Sequence, residues 1–128
     1  MLNDLKAFER IYIACGHTDL RYGIDGLAGV IKEKFELDPY TGRTIFLSCG
    51  RRSDRIKALV WEGDGFLLLY KRLENGTFRW PRSIDDLRDL SQEEFHRLMQ
   101  GFAIVPGVQK VKPPERVLSW TMRRRIWR

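Results

Sequence analysis

The middle of the chain is a series of short apolar runs separated by turn residues, which is the pattern of a small antiparallel sheet. Polar residues at 49–55, an Asp-Gly pair at 64–65 and an Asn-Gly pair at 75–76 mark the turns. A four-stranded meander is therefore predicted, with a separate short strand near the start of the chain. The meander strands are residues 44–48, 56–62, 66–73 and 77–80, and the separate strand is residues 11–14.

Two helices complete the predicted elements. Apolar residues recur at spacings of three and four across residues 20–35, and Thr18 or Asp19 can cap the start of that helix. Glycines at positions 23, 26 and 29 indicate close packing of the helix against another segment, or a phosphate near its start. A second helix is predicted at residues 91–100 from its capping box and its terminal glycine. Residues 83–90 could form a short helical turn.

These elements predict an α+β fold: an antiparallel β-meander packed against an N-terminal helix, with a second short helix and a basic C-terminal tail. Residues 1–108 are assigned to one domain and residues 109–128 to the tail, which we expect to be flexible. Because aromatic side chains supply much of the core of a small sheet, we expect Trp61, Phe78 and Trp80 to be mostly buried.

The net charge of +6 is concentrated at the C-terminal end. Residues 1–109 contain equal numbers of basic and acidic side chains, whereas residues 110–128 contain seven basic residues and one acidic residue. Apolar and aromatic residues are interleaved with arginines in this tail, a composition typical of segments that order on nucleic acid, on an acidic partner or on an anionic membrane. An extension with no selected role has the same composition, so the tail alone does not identify a partner.

Patterns typical of enzymes and metalloproteins are missing from the sequence. It contains no glycine-rich phosphate loop, no nucleophile elbow and no histidine-containing triad. Cys15, His17 and Cys49 would supply only three zinc ligands. Local capping and turn roles explain the carboxylate pairs that could hold magnesium, which are Asp19 with Asp25 and Glu62 with Asp64. We predict a non-enzyme without catalytic residues, metal or cofactor.

Cellular location is constrained by two further patterns. No apolar run approaches the roughly 20 residues that span a bilayer, and the first ten residues are charged where a signal peptide is apolar. The two cysteines lie at the ends of apolar runs, as buried reduced thiols often do. We expect a cytoplasmic protein that does not bind membranes.

Two stretches carry a resemblance to a known family: TDLRYGIDGLAGVI, and GRRSDRIKALVWEGDGFLLLYKRLENGTFRWP. Both resemble the TnpB or Orf2-like accessory proteins encoded beside the transposase in insertion sequences of the IS-sixty-six type, over about residues 10–105. The matching residues are Asp19, Arg21, Gly26, Arg52, Asp54, Lys57, Asp64, Gly65, Lys71, Arg72, Leu73, Glu74, Trp80 and Pro81. Tyr22 stands where a basic residue is expected, and the tail beyond Val108 passes the usual end of the family.

The resemblance implies a bacterial protein that works with the transposase when the element moves. It implies no catalytic residue, because strand transfer belongs to the separate transposase. A DNA-bound accessory protein would be associated with the nucleoid.

Basic side chains on the meander predict a DNA-binding surface. Arg51, Arg52 and Arg55 lie in the first turn, and guanidinium groups can fork onto phosphate oxygens. Tyr70 or Trp80 could stack on an unpaired base. Predicted DNA contacts are Arg51, Arg52, Arg55, Lys57, Lys71, Arg72, Arg79 and Arg82, with Arg123, Arg124 and Arg125 in the tail. Either the transposon ends or non-specific duplex could be the ligand.

Two other interpretations remain open from the residues alone. The chain could be an adaptor that docks on the transposase or on another accessory protein, through a strand edge or through an acidic surface. That predicted acidic surface consists of Asp85, Asp86, Asp89, Glu93 and Glu94. Alternatively, the arginines could be a solvated face of the sheet, paired with local acids.

Overall fold

The structure, a computed structural model, describes residues 8–82 and 86–104. Its strands are β1 (Arg10–Ala14), β2 (Thr44–Cys49), β3 (Arg55–Trp61), β4 (Phe66–Arg72) and β5 (Leu87–Leu90). Its helices are α1 (Ile24–Gly29), which continues as a π-helical turn over Val30–Lys34, and α2 (Gln92–Met99).

The five strands form one mixed sheet in the order β4-β3-β2-β1-β5. β1 and β2 are parallel, so α1 lies in the crossover that joins them, while the other neighbouring strands are antiparallel. All six residues of β2 are buried, because this strand lies inside the sheet and has both faces covered.

Each face of the sheet has its own apolar cluster. On one face, Leu27, Ile31 and Phe35 of the α1 region pack against Tyr12 and Phe46 of the sheet. On the other face, α2 and the segment at residues 77–81 cover the inner strands. The buried residues of that second cluster are Ile11, Ile13, Ile45, Leu47, Cys49, Ile56, Ala58, Val60, Phe78, Trp80, Leu90, Phe95, Leu98 and Ile104.

Four of the five predicted strands are confirmed within one residue at each end, but the pairing differs from a simple meander. The prediction of a fourth meander strand at 77–80 is wrong. Phe78 and Trp80 instead cross the sheet face, where the Phe78 amide donates to the Ser53 carbonyl at 2.7 Å and Trp80 Nε1 donates to the Ala14 carbonyl at 2.9 Å. Burying two aromatic side chains on the face stabilises this path more than adding a short edge strand.

The short helical turn that the sequence permitted at residues 83–90 is also wrong where the structure describes it. Residues 87–90 form β5, which pairs antiparallel with β1. Leu87 and Leu90 are buried on opposite faces of the sheet, so the strand adds to both apolar clusters.

The first helix begins later than predicted. α1 starts at Ile24 with Gly23 as its N-cap, and no side chain caps it. Asp19 instead accepts hydrogen bonds from the Arg21 backbone and side chain, so its carboxylate is engaged in a turn before the helix. A Cβ on Gly26 would lie 2.7 Å from the Tyr22 side chain, four residues earlier in the chain, and nothing lies within 4 Å at Gly23 or Gly29. The close approach to another backbone that these glycines predicted is therefore absent at Gly23 and Gly29, and at Gly26 the nearest atoms belong to a neighbouring side chain.

The second helix is confirmed. Ser91 caps α2, with Ser91 Oγ accepting from the Glu94 amide at 3.0 Å and Glu94 Oε1 accepting from the Ser91 amide at 2.9 Å. Gly101 has a positive φ of 92°, which suits the end of a helix.

Burial of the aromatic residues follows the prediction in part. Phe78 is 2% exposed and Trp80 is 5% exposed, but Trp61 is only half-buried. The Trp61 ring packs with Tyr40 and Phe66 at centroid distances of 4.9 Å in a cluster at the end of the β3–β4 hairpin.

None of the helices in the described part of the chain is long and apolar enough to cross a membrane. The predicted basic tail at 109–128 lies outside the described residues.

Candidate functional site

Two segments that are distant in sequence meet at one cleft of about 640 Å³. β1 and β2 are parallel neighbours, so the segments that follow them leave the sheet at the same end. The Thr18 amide donates to the Cys49 carbonyl at 2.9 Å, and the Leu20 side chain packs against Gly50. We call this site the arginine cleft, and its lining residues are His17, Thr18, Asp19, Leu20, Arg21, Gly50, Arg51, Arg52, Arg55 and Tyr70.

Asp19 and Arg21 form a chelated ion pair on one wall of the cleft. Arg21 Nη2 lies 2.7 Å from Asp19 Oδ2, and Arg21 Nε lies 3.0 Å from Asp19 Oδ1. These side-chain hydrogen bonds, with one from the Arg21 amide, lower the pKa of Asp19 from 3.8 to about 2. The Arg21 side chain is nevertheless 91% exposed, so Asp19 orients the guanidinium without hiding it from solvent.

Two arginines of the opposite wall, Arg52 and Arg55, share the carboxylate of Asp54. Arg55 Nε donates to Asp54 Oδ1 at 3.1 Å, and Arg52 Nη2 lies 3.6 Å from Asp54 Oδ2. The hydrogen bond from Arg55 is the main cause that lowers the pKa of Asp54. Arg51 and Arg52 are both exposed. Local pairing therefore holds Arg55, while the wall keeps a surplus of positive charge that one carboxylate does not neutralise.

The β3–β4 ladder extends the positive surface beside the cleft. Lys57 lies opposite Tyr70, and Arg55 lies opposite Arg72. Lys57 Nζ donates to the Tyr22 carbonyl at 2.8 Å and sits 5.6 Å from the centre of the Tyr70 ring. Two like charges directly opposite each other on neighbouring strands are unfavourable, but Arg55 pairs with Asp54 and Arg72 Nη2 lies 3.6 Å from Glu74 Oε2, so nearby carboxylates offset the repulsion.

The structure does not bring all of the predicted contact residues to this cleft. Lys71 lies opposite Ile56, whose side chain is buried in the cluster on the other face of the sheet. Arg79 is exposed but lines a separate cavity of about 540 Å³ on that other face. The tail residues Arg123, Arg124 and Arg125 lie outside the described residues.

Arg82 has an internal structural role. Its guanidinium donates to the carbonyl oxygens of Gly16, Gly50 and Arg51 and to Ser53 Oγ. These contacts join the loops that follow β1 and β2, behind the arginine cleft. Arg82 therefore positions the cleft, and we do not place it among the ligand contacts.

Of the two aromatic residues predicted to stack on a base, Trp80 is buried in the core and Tyr70 is exposed. Trp80 is 5% exposed and its indole N–H is hydrogen-bonded to Ala14, whereas Tyr70 is 55% exposed on the wall of the cleft.

The predicted acidic surface is largely engaged in internal contacts. Glu94 is 9% exposed, belongs to the capping box of α2 and pairs with Arg88 at 3.3 Å. Asp89 Oδ2 lies 3.8 Å from Arg10 Nη1, and Asp86 Oδ1 accepts from the Leu87 amide. Asp85 lies outside the described residues. These contacts weaken the case for an acidic docking face.

Arg21 and His17 line the cleft but were missed as site residues. Arg21 was noted only as part of the family resemblance, because the predicted antiparallel meander left the segment after β1 without a defined neighbour. Recognition that β1 and β2 are parallel would have placed residues 17–21 beside residues 50–55.

The two sulfur atoms near the cleft belong to the core. Cys15 and Cys49 are buried and form no disulfide, and burial raises the pKa of the Cys49 thiol. In residues 8–82 and 86–104, no three His, Cys, Asp or Glu side chains are grouped to hold a metal ion.

Comparison with known proteins places these features in a family. The model of the IS66 Orf2-like proteins, TnpB_IS66, matches residues 9–108. This chain belongs to the IS66 Orf2-like family. The match confirms the resemblance seen in the sequence, and it links the chain to insertion sequences and their transposition.

Two relatives come from Sinorhizobium fredii. The uncharacterized protein y4jC is 36% identical over 109 residues, which cover 84% of this chain and 92% of the relative. The uncharacterized protein y4hO is 35% identical over 92 residues, which cover 72% of this chain and 79% of the relative. No solved structure matches the chain.

Proposed function

We propose that this IS66 Orf2-like protein is a non-catalytic accessory factor that binds transposon DNA beside a separate transposase, with the arginine cleft contacting the phosphate backbone. The observation that carries this proposal is the convergence of Arg21, Arg51 and Arg52, all exposed, around one cleft. A positive concave surface on a family associated with transposition favours a polyanionic ligand.

The local hydrogen bonds suit the site to phosphate. Asp19 fixes the plane of the Arg21 guanidinium, and Asp54 fixes the plane of Arg55, so less side-chain freedom is lost when a phosphate binds. A guanidinium can donate two parallel hydrogen bonds to phosphate oxygens. The cleft can therefore hold neighbouring phosphates between guanidinium groups whose planes are already fixed.

A salt-dependent binding measurement tests this function. Fluorescence anisotropy with labelled transposon-end duplex would compare the unmodified chain with the double variant R51A/R52A over a range of salt concentrations. If each arginine neutralises one phosphate, the double variant should flatten the slope of log affinity against log salt by about 1.8, since each contact contributes about 0.9. Its stability should change by about 0.5 kcal/mol or less per substitution, because both residues are exposed.

The double variant K32A/K34A is a matched control. It also removes two exposed positive charges, but from the π-helical turn over Val30–Lys34 rather than from the arginine cleft. Equal losses of affinity in both double variants would show attraction by overall charge alone and would contradict a specific cleft.

The adaptor function is the alternative that this experiment separates. If R51A/R52A reduces transposition in cells but leaves DNA affinity and its salt slope unchanged, the cleft acts on a protein partner such as the transposase. Glu94 and Asp89 near α2 already make internal contacts, so an acidic docking face is the weaker basis for the adaptor function.

A further inference from the structure

β4 is the outermost strand on one side of the sheet in the described part of the chain. Natural edge strands are usually protected by charge, proline or a bulge, because their free N–H and C=O groups can pair with another strand. β4 instead begins with five consecutive apolar or aromatic residues, at positions 66–70, and all five side chains are partly exposed. Charge enters only at its end, with Lys71 and Arg72.

The hydrogen bonds that bracket β4 show which of its backbone groups point outward. The Leu73 amide donates to the Asp54 carbonyl at 2.7 Å, and the Glu62 amide donates to the Gly65 carbonyl at 2.9 Å. Hydrogen-bonded and non-hydrogen-bonded pairs alternate along an antiparallel ladder, so the odd-numbered residues of β4 bond to β3. The outward N–H and C=O groups therefore belong to Phe66, Leu68, Tyr70 and Arg72.

We propose that β4 pairs antiparallel with β4 of a second copy of this chain, about a two-fold axis at Leu68. The outward groups of each copy then meet outward groups of the other. In this register Leu68 lies opposite the partner's Leu68 and Phe66 lies opposite the partner's Tyr70. The turn that carries Asp64, just before β4, then lies beside the partner's Arg72. On the other sheet face, Leu67 lies opposite the partner's Leu69.

Charge and side-chain chemistry select this register. Apolar residues face apolar or aromatic residues at the centre, and the acidic turn of each copy meets the basic end of the other strand. A register centred on Leu69 would instead place Phe66 opposite the partner's Arg72 and bring the turn of Asp64 towards the partner's Glu74, another carboxylate. Asp64 and Arg72 are exposed in one copy, where Arg72 Nη2 lies 3.6 Å from Glu74 Oε2. Pairing with Asp64 would therefore exchange one exposed ion pair for another and needs no rearrangement of the core.

Pairing of this kind would join two five-stranded sheets into one continuous sheet. An isologous antiparallel contact keeps equivalent faces on the same side, so both arginine clefts would face the same direction. The dimer does not depend on DNA binding. Only its consequence, two DNA sites on the same face of the dimer, rests on the proposed function.

Charge exchange across the interface tests the proposal. Sedimentation velocity on the full chain without DNA would give the dimer dissociation constant for the unmodified protein, for the single variants D64R and R72D and for the double variant D64R/R72D. Each single variant replaces two attractive pairs by two repulsive ones and should weaken the dimer about tenfold or more. The double variant restores opposite charges and should recover the original affinity within about threefold.

Two further variants keep the result interpretable. K32E changes an exposed charge away from β4 and should leave dimerisation unchanged. L68K places two ammonium groups on the two-fold axis and should abolish the dimer, while circular dichroism verifies that the fold is retained. An unmodified chain that remains monomeric would overturn the proposal, as would single variants without effect or a double variant that fails to recover. The unmodified chain could instead be a monomer that binds purified transposase. If R72D removes that binding, the β4 edge belongs to the transposase and the proposal is also overturned.

Discussion

The guanidinium of Arg82 donates a hydrogen bond to the carbonyl oxygen of Gly50 at 2.6 Å, although the two residues are 32 positions apart. The same nitrogen donates to Ser53 Oγ at 2.8 Å, and Nη1 donates to the Gly16 carbonyl. One side chain therefore joins the loops after β1 and β2, which carry the walls of the arginine cleft.

We expect R82A to lower the free energy of unfolding by about 3 kcal/mol. Hydrogen bonds to charged groups contribute about 1.5–3 kcal/mol each, and part of that contribution is recovered by water at this partly buried position. Urea denaturation would measure the change. R79A is the matched control, since Arg79 is an exposed arginine three residues away and should change stability by about 0.5 kcal/mol or less. Similar stabilities for the two variants would contradict a structural role for Arg82.

Asp19 should titrate well below an ordinary aspartate. The hydrogen bonds from Arg21 favour the carboxylate and lower its pKa from 3.8 to about 2. Because the folded pKa lies below the unfolded value, the contribution to stability is complete above about pH 4 and is lost as the pH falls towards 2. The carbon chemical shift of the Asp19 carboxyl group, followed by NMR from pH 6 to acid, would report this midpoint. R21A should return the midpoint towards 3.8, and an unchanged midpoint would contradict the ion pair.

Tyr70 should contribute to single-stranded DNA binding if the arginine cleft is the DNA site. Stacking of a base on an aromatic ring contributes about 1–3 kcal/mol, so Y70S should weaken binding of a single-stranded oligonucleotide by about 5- to 150-fold. Duplex affinity should change less, because duplex bases are already stacked. Y40S is the control, since Tyr40 is 57% exposed and Tyr70 is 55% exposed, but Tyr40 packs on Trp61 at the end of the β3–β4 hairpin. Equal losses in both variants would count against stacking in the cleft.

The basic tail should raise affinity for nucleic acid without adding specificity. Residues 110–128 contain seven basic side chains and one acidic side chain, which account for the whole net charge. Truncation after Gly107 should flatten the salt dependence of DNA binding by about 0.9 for each phosphate contact removed. The ratio of affinities for transposon-end and unrelated duplex should remain the same. A truncated chain with an unaltered salt slope would show that the tail has no electrostatic role.

The local elements of this fold were readable from the residues because their causes lie within a few positions. The Ser91 capping box predicts α2, since both of its hydrogen bonds close over three residues. The Asp-Gly turn at 64–65 predicts the β3–β4 hairpin, and Gly63 beside it has a positive φ of 93°. The arginine cluster at 51–55 was visible for the same reason, as were the family motifs.

The tertiary structure decided which segments became neighbours. Nothing local indicates that β1 pairs parallel with β2 and antiparallel with β5, because strand pairing depends on apolar surface buried between distant segments. The chain bends at residues 74–76, but burial of Phe78 and Trp80 on the sheet face diverts it, so the hairpin expected at Asn75-Gly76 does not form.

The same long-range packing determined the role of each basic residue. The sequence by itself predicted the family, strands β1 to β4, the second helix and a surplus of arginine, since these follow from motifs, periodicity and turn chemistry. Only the tertiary structure separated Arg82, whose guanidinium donates to backbone carbonyls of the two loops after β1 and β2, from Arg51 and Arg52, which remain exposed. It also brought Arg21 to their side, because parallel strands end at the same edge of the sheet.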